Sequence, residues 1–161
     1  MNKAPDEVLL ARIALIEEQQ RTLVLTRFDN DDAWRLGCRL VELAQERELP
    51  VTIDIRRGTQ QLFHAALPGT TADNDDWVAR KVRVVERFAA ASLLVGLRSA
   101  AQGAPFSERR ADLPQELYAA HGGCFPIRIV DVGVVGTVTV SGLAQEDDHD
   151  LVVEALRGFL G

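Results

Sequence analysis

The sequence predicts an α+β fold, in which helices cover one or both faces of an antiparallel sheet. Two pairs of β-type segments, within residues 51–67 and 125–142, are each joined by a short turn, which is typical of hairpins and therefore of antiparallel pairing. Helical patterns separate the hairpins, and the alternating βαβ units of a parallel sheet do not occur. The 161 residues fit one domain covering 1–161, because chains usually divide only beyond ~250 residues.

The N-terminal third is predicted to form a helix, a strand and a second helix. The first helix is expected from Pro5 to Glu18, because proline and the acidic residues after it suit a first helical turn. The run Thr22–Phe28, rich in Leu, Val and Thr, is typical of a strand. The second helix is expected after Asp29 and up to Arg47, and its wide apolar arc indicates burial.

The middle of the chain is predicted to form the first hairpin and a third helix. Residues 51–56 alternate apolar and polar side chains, and Gln60–Leu67 returns after a turn at Arg57-Gly58. The third helix is expected to open at Asp73. An Asp-Asn-Asp-Asp run precedes both this helix and the second one. Metal binding would suit such acids, but helix capping explains them without a metal, and we favour capping.

Residues 98–123 form the least regular stretch, which is long for a passive connection and is therefore predicted to carry function. A short helix is expected near Asp112–Ala120. The second hairpin, Phe125–Val130 with Gly133–Gly142, follows, and the closing helix is expected over Asp147–Leu160.

Composition and charge narrow the function classes. A net charge of -6 and a pI of about 5.1 argue against nucleic-acid binding, because a binder of phosphate needs a basic surface. The two cysteines, Cys38 and Cys124, do not form a disulfide framework. The N-terminus has no signal-peptide pattern and no apolar run is long enough for a membrane span, so a cytoplasmic location is expected. No zinc-ligand spacing and no nucleophile triad are visible.

The C-terminal half carries a family resemblance. The residues that carry it are Gly122-Gly123-Cys124-Phe125-Pro126-Ile127, then Gly133-Val134-Val135-Gly136-Thr137-Val138-Thr139-Val140-Ser141-Gly142 and Asp148. They resemble the C-terminal signature of the haem-degrading (HbpS/GlcG-like) family, and Lys81 and Ile53-Asp54-Ile55 fit as well. The stretch Gln60–Thr70 resembles a branch of mostly uncharacterised proteins. The resemblance implies a profilin-like fold, a five-stranded antiparallel sheet in three α/β/α layers. It also implies homo-oligomers and, for some members, haem or related tetrapyrroles as ligands.

His64 is the first candidate haem ligand. A two- or four-residue turn in the first hairpin would place His64 opposite Val51, on the apolar face of the sheet. A neutral imidazole in an apolar pocket suits a haem iron as axial ligand. The alternative is a core histidine bonded to a carbonyl group, and this alternative is favoured because most buried polar groups are simply satisfied.

His121 is the second candidate ligand, directly before Gly122 and Gly123. Two glycines would let the backbone approach a bound molecule, and His121, Tyr118 and Cys124 could face a pocket there. A surface histidine beside a purely conformational glycine turn explains the pattern equally well.

Three further positions complete the predicted site. Lys81 lies toward the apolar side of the third helix and could meet a haem propionate, as could a neighbouring arginine. Ser141 and Gly142, at a strand–helix junction, could bind phosphate or carboxylate. His149, among four acidic neighbours, is expected to be exposed and more basic than usual.

Three functions stay open at this stage. The first is a haem- or tetrapyrrole-binding accessory protein, with promotion of haem breakdown as a further step. The second is a non-enzymatic oligomeric sensor or assembly module that binds a small molecule or a partner protein. The third is an enzyme acting on a small anionic metabolite near Ser141 and Gly142, which ranks last because no acid–base pair can be named.

Overall fold

The computed structural model describes residues 6–161. Six helices and four strands are found in this part of the chain: α1 Glu7–Thr22, α2 Asn30–Glu46, β1 Thr52–Arg57, β2 Gln60–Ala66, α3 Ala72–Phe88, α4 Ser92–Ala101, α5 Phe106–Arg109, β3 Cys124–Ile129, β4 Gly133–Ser141 and α6 Gln145–Leu160. The sheet is antiparallel with strand order β2-β1-β4-β3. The predicted α+β class and the two hairpins are therefore confirmed.

The sheet has one apolar and one polar face, because side chains alternate along each strand. α2 and α6 cover the apolar face, and α3 packs on the other face. The buried apolar side chains on the first face are Ile53, Ile55, Phe125, Ile127, Val138 and Val140. The buried polar side chains on the second face are Thr52, Asp54, Thr137, Thr139 and Ser141. The polar face is what places hydrophilic groups beneath α3, next to the site described below.

The prediction of a fifth strand over Thr22–Phe28 is wrong, because the described part of the chain forms no strand there. α1 continues to Thr22, and only Leu25 contacts the sheet, through a parallel bridge to Ile129. Its amide donates to Arg128 O at 2.8 Å, and its carbonyl accepts from the amide of Val130 at 2.9 Å. The apolar run is buried, which explains the strand-like pattern, but α1 and the cap of α2 leave it too short to extend the ladder. The profilin-like description stays a prediction.

Capping fixes the starts of the first three helices. Asp6 accepts from the amide of Val8, while Pro5, the predicted start, lies outside the described residues. Asp29 and Asp32 form a capping box at α2, which supports the capping interpretation of the acidic run. At α3 the cap is Thr71 rather than the predicted Asp73, with Asn74 completing its capping box.

The irregular stretch is ordered differently from the prediction. The short helix expected near Asp112–Ala120 is not formed, and turns occupy that region instead. The amides of Leu117 and Tyr118 both donate to Pro114 O at 3.0 Å. Guanidinium groups on α3 hold the same segment, because Arg80 donates to Gln115 O and Arg83 donates to Leu117 O. Arg80 and Arg83 therefore anchor this segment against α3.

Candidate functional site

The candidate site lies where α3, the segment before β3 and the β4–α6 turn meet. A cavity of about 270 Å³ opens there, and its lining is mostly polar. The lining residues are Asp73, Asn74, Trp77, Lys81, His121, Ser141, Gly142, Leu143, Gln145 and Asp148. Four predicted site residues, namely Lys81, His121, Ser141 and Gly142, are thus brought together. We call this space the polar cavity.

A buried ion pair forms the floor of the polar cavity. Lys81 Nζ lies 3.1 Å from Asp148 Oδ2, and both side chains are only 3% exposed. Lys81 also donates to Val140 O at 3.2 Å. Asp148 accepts from the amide of Leu143 at 2.9 Å, so it also holds the β4–α6 turn. Burial raises the pKa of Asp148, and the Lys81 ammonium opposes that shift.

Ser141 adds a hydroxyl group to the cavity wall. Its residue exposure is 3%, yet among residues 6–161 its Oγ makes no hydrogen bond with another protein group. A hydroxyl group that lines a cavity can both donate and accept a hydrogen bond. Ser141 is consequently available to a molecule in the polar cavity.

The glycine pair shapes the site without lining it. Gly123 has φ of +133°, and a Cβ there would lie 2.7 Å from Lys81 Nζ and would overlap Val140 O. A Cβ on Gly122 would overlap Gln145 O. Both glycines therefore permit close packing against Lys81, β4 and α6. Their predicted approach to a ligand stays a proposal, and what the structure shows is the conformational role.

His121 lines the polar cavity, and the pKa of its imidazole is lowered. Its ring lies 5.3 Å from the Trp77 ring, between centroids, and the Arg80 guanidinium lies 4.3 Å from the same Trp77 ring. Partial burial lowers the pKa of His121, and the positive charges of Lys81 and Arg80 lower it further. The imidazole is therefore neutral at pH 7, which leaves a ring nitrogen free to bind a metal.

A second cavity of about 280 Å³ adjoins the polar cavity and also has His121 in its lining. His121 and Gln145 line both cavities. The apolar and aromatic side chains of the second cavity include Leu93, Leu97, Phe106 and Tyr118. We call it the apolar cavity. An imidazole between a polar and an apolar space suits a ligand that has both kinds of surface.

The predicted environment of His64 is wrong. The structure pairs His64 with Asp54, whereas the prediction paired it with Val51, three residues away. Because strand side chains alternate, an odd shift moves His64 to the opposite face of the sheet. The register also changes between Ile55 and Arg56, which a turn-length argument cannot foresee. His64 is exposed, contacts Asp75 Oδ1 at 2.6 Å through Nε2, and lines neither cavity.

Cys124 does not face either cavity. It is fully buried against the α3 valines Val78, Val82 and Val85, and burial raises the pKa of its thiol to about 12. The thiolate is therefore scarce at neutral pH, and Cys124 acts as a core residue. Tyr118, by contrast, does line the apolar cavity.

His149 differs from its prediction as well. It is 0% exposed rather than at the surface, and its Nε2 lies 2.7 Å from Gln19 Oε1. Burial lowers the pKa of His149 to about 4, although the nearby Asp150 charge acts in the opposite direction. Glu146, Asp147 and Asp150 are exposed, whereas the His149 ring is buried beside the Phe125 ring.

This burial predicts an acid-sensitive fold. The native pKa of His149 is below its unfolded value of about 6.5, so the unfolded chain binds the proton more readily. The stabilisation is complete above pH 6.5 and is lost as the pH falls toward 4, on the order of 3 kcal/mol in all. Urea unfolding at several pH values should show this loss. His149→Gln should flatten the slope between pH 6.5 and 4, and an unchanged slope would contradict the assignment.

Sequence reasoning did not identify several lining residues. Trp77 has no sequence feature that separates a lining residue from an apolar core residue of α3, and Gln145 precedes the predicted start of the closing helix at Asp147. Asp148 belonged to the family signature, but its pairing with Lys81 spans 67 positions and no local pattern reveals it. None of the helices between residues 6 and 161 is long and apolar enough to cross a lipid bilayer.

The fold and the two cavities define a helix-flanked antiparallel-sheet protein with two cavities that share His121. Comparison with known families gives a narrower class. Residues 28–157 match the model described as haem degrading protein HbpS-like, and the chain belongs to this family. It is 62% identical over 149 residues to a UPF0303 protein of Streptomyces coelicolor, covering 92% of this chain and 94% of that one.

Solved structures share the fold. The Ybr137w protein matches with a TM-score of 0.83 and 30% identity, covering 97% of this chain and 95% of that chain. HbpS matches with a TM-score of 0.65 and 18% identity, covering 84% and 92%. The complex of PduOC with haem matches with a TM-score of 0.65 and 20% identity, covering 83% and 94%. The last two likenesses show the fold alone.

Proposed function

We propose that the protein binds haem or a related tetrapyrrole at His121. The observation that carries the proposal is the neutral imidazole of His121 at the boundary between the polar and the apolar cavity. A tetrapyrrole has the matching chemistry, with an apolar macrocycle, a central metal and carboxylate side chains. The match to a family described as haem degrading supports the proposal, as does the haem bound to the structural neighbour PduOC.

The residues around His121 fit this ligand class. Leu97, Phe106 and Tyr118 offer apolar contacts to a macrocycle, and Lys81 or Arg80 offers a positive charge to a carboxylate. Each cavity alone lies just below the ~300–1,000 Å³ typical of ligand pockets, and the two together fall within that range. Bound haem would supply one-electron and oxygen chemistry. The part of this chain is to hold the ring, orient it and supply the iron ligand.

His121 is a better candidate for the iron ligand than His64. Both imidazoles are exposed, but Nε2 of His64 is occupied by Asp75. His121 has no such partner among residues 6–161, and partial burial together with the charges of Lys81 and Arg80 lowers its pKa. The depressed pKa predicts that ligation persists into mildly acidic solution, where an ordinary histidine would begin to protonate.

Titration of the purified apoprotein with haem, followed by absorbance, tests the proposal. The expected result is a saturable, near-stoichiometric shift of the Soret band. A weak change that does not saturate would contradict tetrapyrrole binding. Haem breakdown is a further hypothesis, and a reductant and oxygen added to the saturated complex would test it.

The second candidate function is an oligomeric sensor or assembly module. Trp34 is 62% exposed and packs edge-on against Phe63 of the edge strand β2. Sheet edges are usually protected against pairing with another chain by charged residues or proline. β2 contains no acidic residue, lysine, arginine or proline. This surface favours association of the chain with a copy of itself. A strict monomer by size exclusion with light scattering would weaken this candidate.

A further inference from the structure

We propose that the polar cavity binds a small hydroxycarboxylate without haem. The inference rests on the proposed function only in using the same site, because it names a ligand for one cavity that requires neither iron nor a macrocycle. The cavity volume of about 270 Å³ corresponds to roughly nine water molecules at ~30 Å³ each. It therefore accepts a molecule of a few carbon atoms and is far too small to enclose a tetrapyrrole.

Two donors on one wall fit a carboxylate. Lys81 carries three N–H groups, and the structure accounts for two of them, at Val140 O and Asp148 Oδ2. Ser141, equally buried, has a hydroxyl with no protein partner among the described residues. A charged and a neutral donor that both line the polar cavity are the groups expected around a buried carboxylate.

The other residues that line the polar cavity indicate which charge and which second functional group the ligand carries. Asp73 and Asp148 line the same cavity, so a second negative charge on the ligand would be repelled. This favours a monocarboxylate over phosphate. Asn74 and Asp73 offer oxygen acceptors, which suit a hydroxyl group on the ligand. Trp77 closes the side of the cavity with an apolar ring.

The test uses the haem-free protein and sodium lactate as the probe. Melting temperature is followed against lactate at constant ionic strength, since a ligand of the native state must raise it. The expected result is a saturable rise, with an apparent Kd about tenfold weaker for Ser141→Ala, because a hydrogen bond to a charged group is lost. Ser99→Ala, a buried serine outside both cavities, is the matched control and should behave as the wild type.

Three outcomes would overturn the proposal. Lactate could stabilise the protein no more than chloride does, Ser141→Ala could bind lactate as the wild type does, or phosphate could bind more tightly than lactate. Propionate, which lacks the hydroxyl, should bind more weakly than lactate, and equal binding would overturn the choice of a hydroxycarboxylate. Because no haem is present, a failed haem titration leaves this result unchanged, and a failed lactate titration leaves tetrapyrrole binding unchanged.

Discussion

Gly123→Ala should destabilise the protein by about 3 kcal/mol or more, since two separate costs coincide at this position. Its φ of +133° lies in a region that L side chains rarely adopt. An added Cβ would also overlap Val140 O and lie 2.7 Å from Lys81 Nζ, against strand backbone and a buried ion pair that cannot easily move. Urea unfolding of the purified variant measures the loss.

Gly133→Ala is the matched control for Gly123→Ala. Gly133, the first residue of β4, also has a positive φ, of +108°, but a Cβ added there would meet no atom within 4 Å beyond its chain neighbours. It should therefore show the backbone cost alone, about 1–3 kcal/mol. Equal losses in the two variants would mean that the close packing around Gly123 contributes nothing.

Lys81→Met should cost about 3–5 kcal/mol, the range measured when one partner of a buried ion pair is removed. The substitution keeps the length of the side chain but leaves the Asp148 carboxylate buried without its counter-charge. Asp148 keeps the Leu143 amide as a donor, and its already raised pKa should rise further. The free energy of unfolding at pH 7 is the measurement.

Two further variants distinguish the loss of the buried ion pair from the loss of any positive charge. Adding Asp148→Asn to Lys81→Met removes the stranded charge and should recover part of the lost stability. Arg98→Met breaks an exposed ion pair with Glu17 at 3.2 Å and should cost at most about 1 kcal/mol. If Lys81→Met lowers the free energy of unfolding no more than Arg98→Met does, the buried ion pair does not stabilise the fold.

Local patterns predicted most of the fold because local interactions determine most of its elements. The apolar arc of α2 is a local pattern, and its helix is confirmed. The capping interpretation of the Asp29 run is also correct, because a cap depends on residues three positions apart. The strand predicted over Thr22–Phe28 failed for the opposite reason. Its burial depends on the sheet edge at Ile129, which lies far away in the sequence.

The site was predictable only in part. The family resemblance brought in Lys81, Ser141 and Gly142, and the glycine pair drew attention to His121. The structure places all four residues around one cavity. His64 was assigned to the wrong face because hairpin register depends on a bulge that the turn sequence does not reveal. His149 appeared exposed because its neighbours in sequence are acidic, although its neighbours in space are Gln19 and Phe125.

The central claim, that His121 is the iron ligand of a tetrapyrrole site, is tested most directly by haem titration of two histidine variants. His121→Ala should lose the saturable Soret shift of the wild type, whereas His64→Ala, the matched control, should keep it. Both variants should retain the far-ultraviolet circular dichroism of the wild type, because neither side chain is buried in the core. A wild-type Soret shift in His121→Ala, or its loss in His64→Ala alone, would contradict the claim.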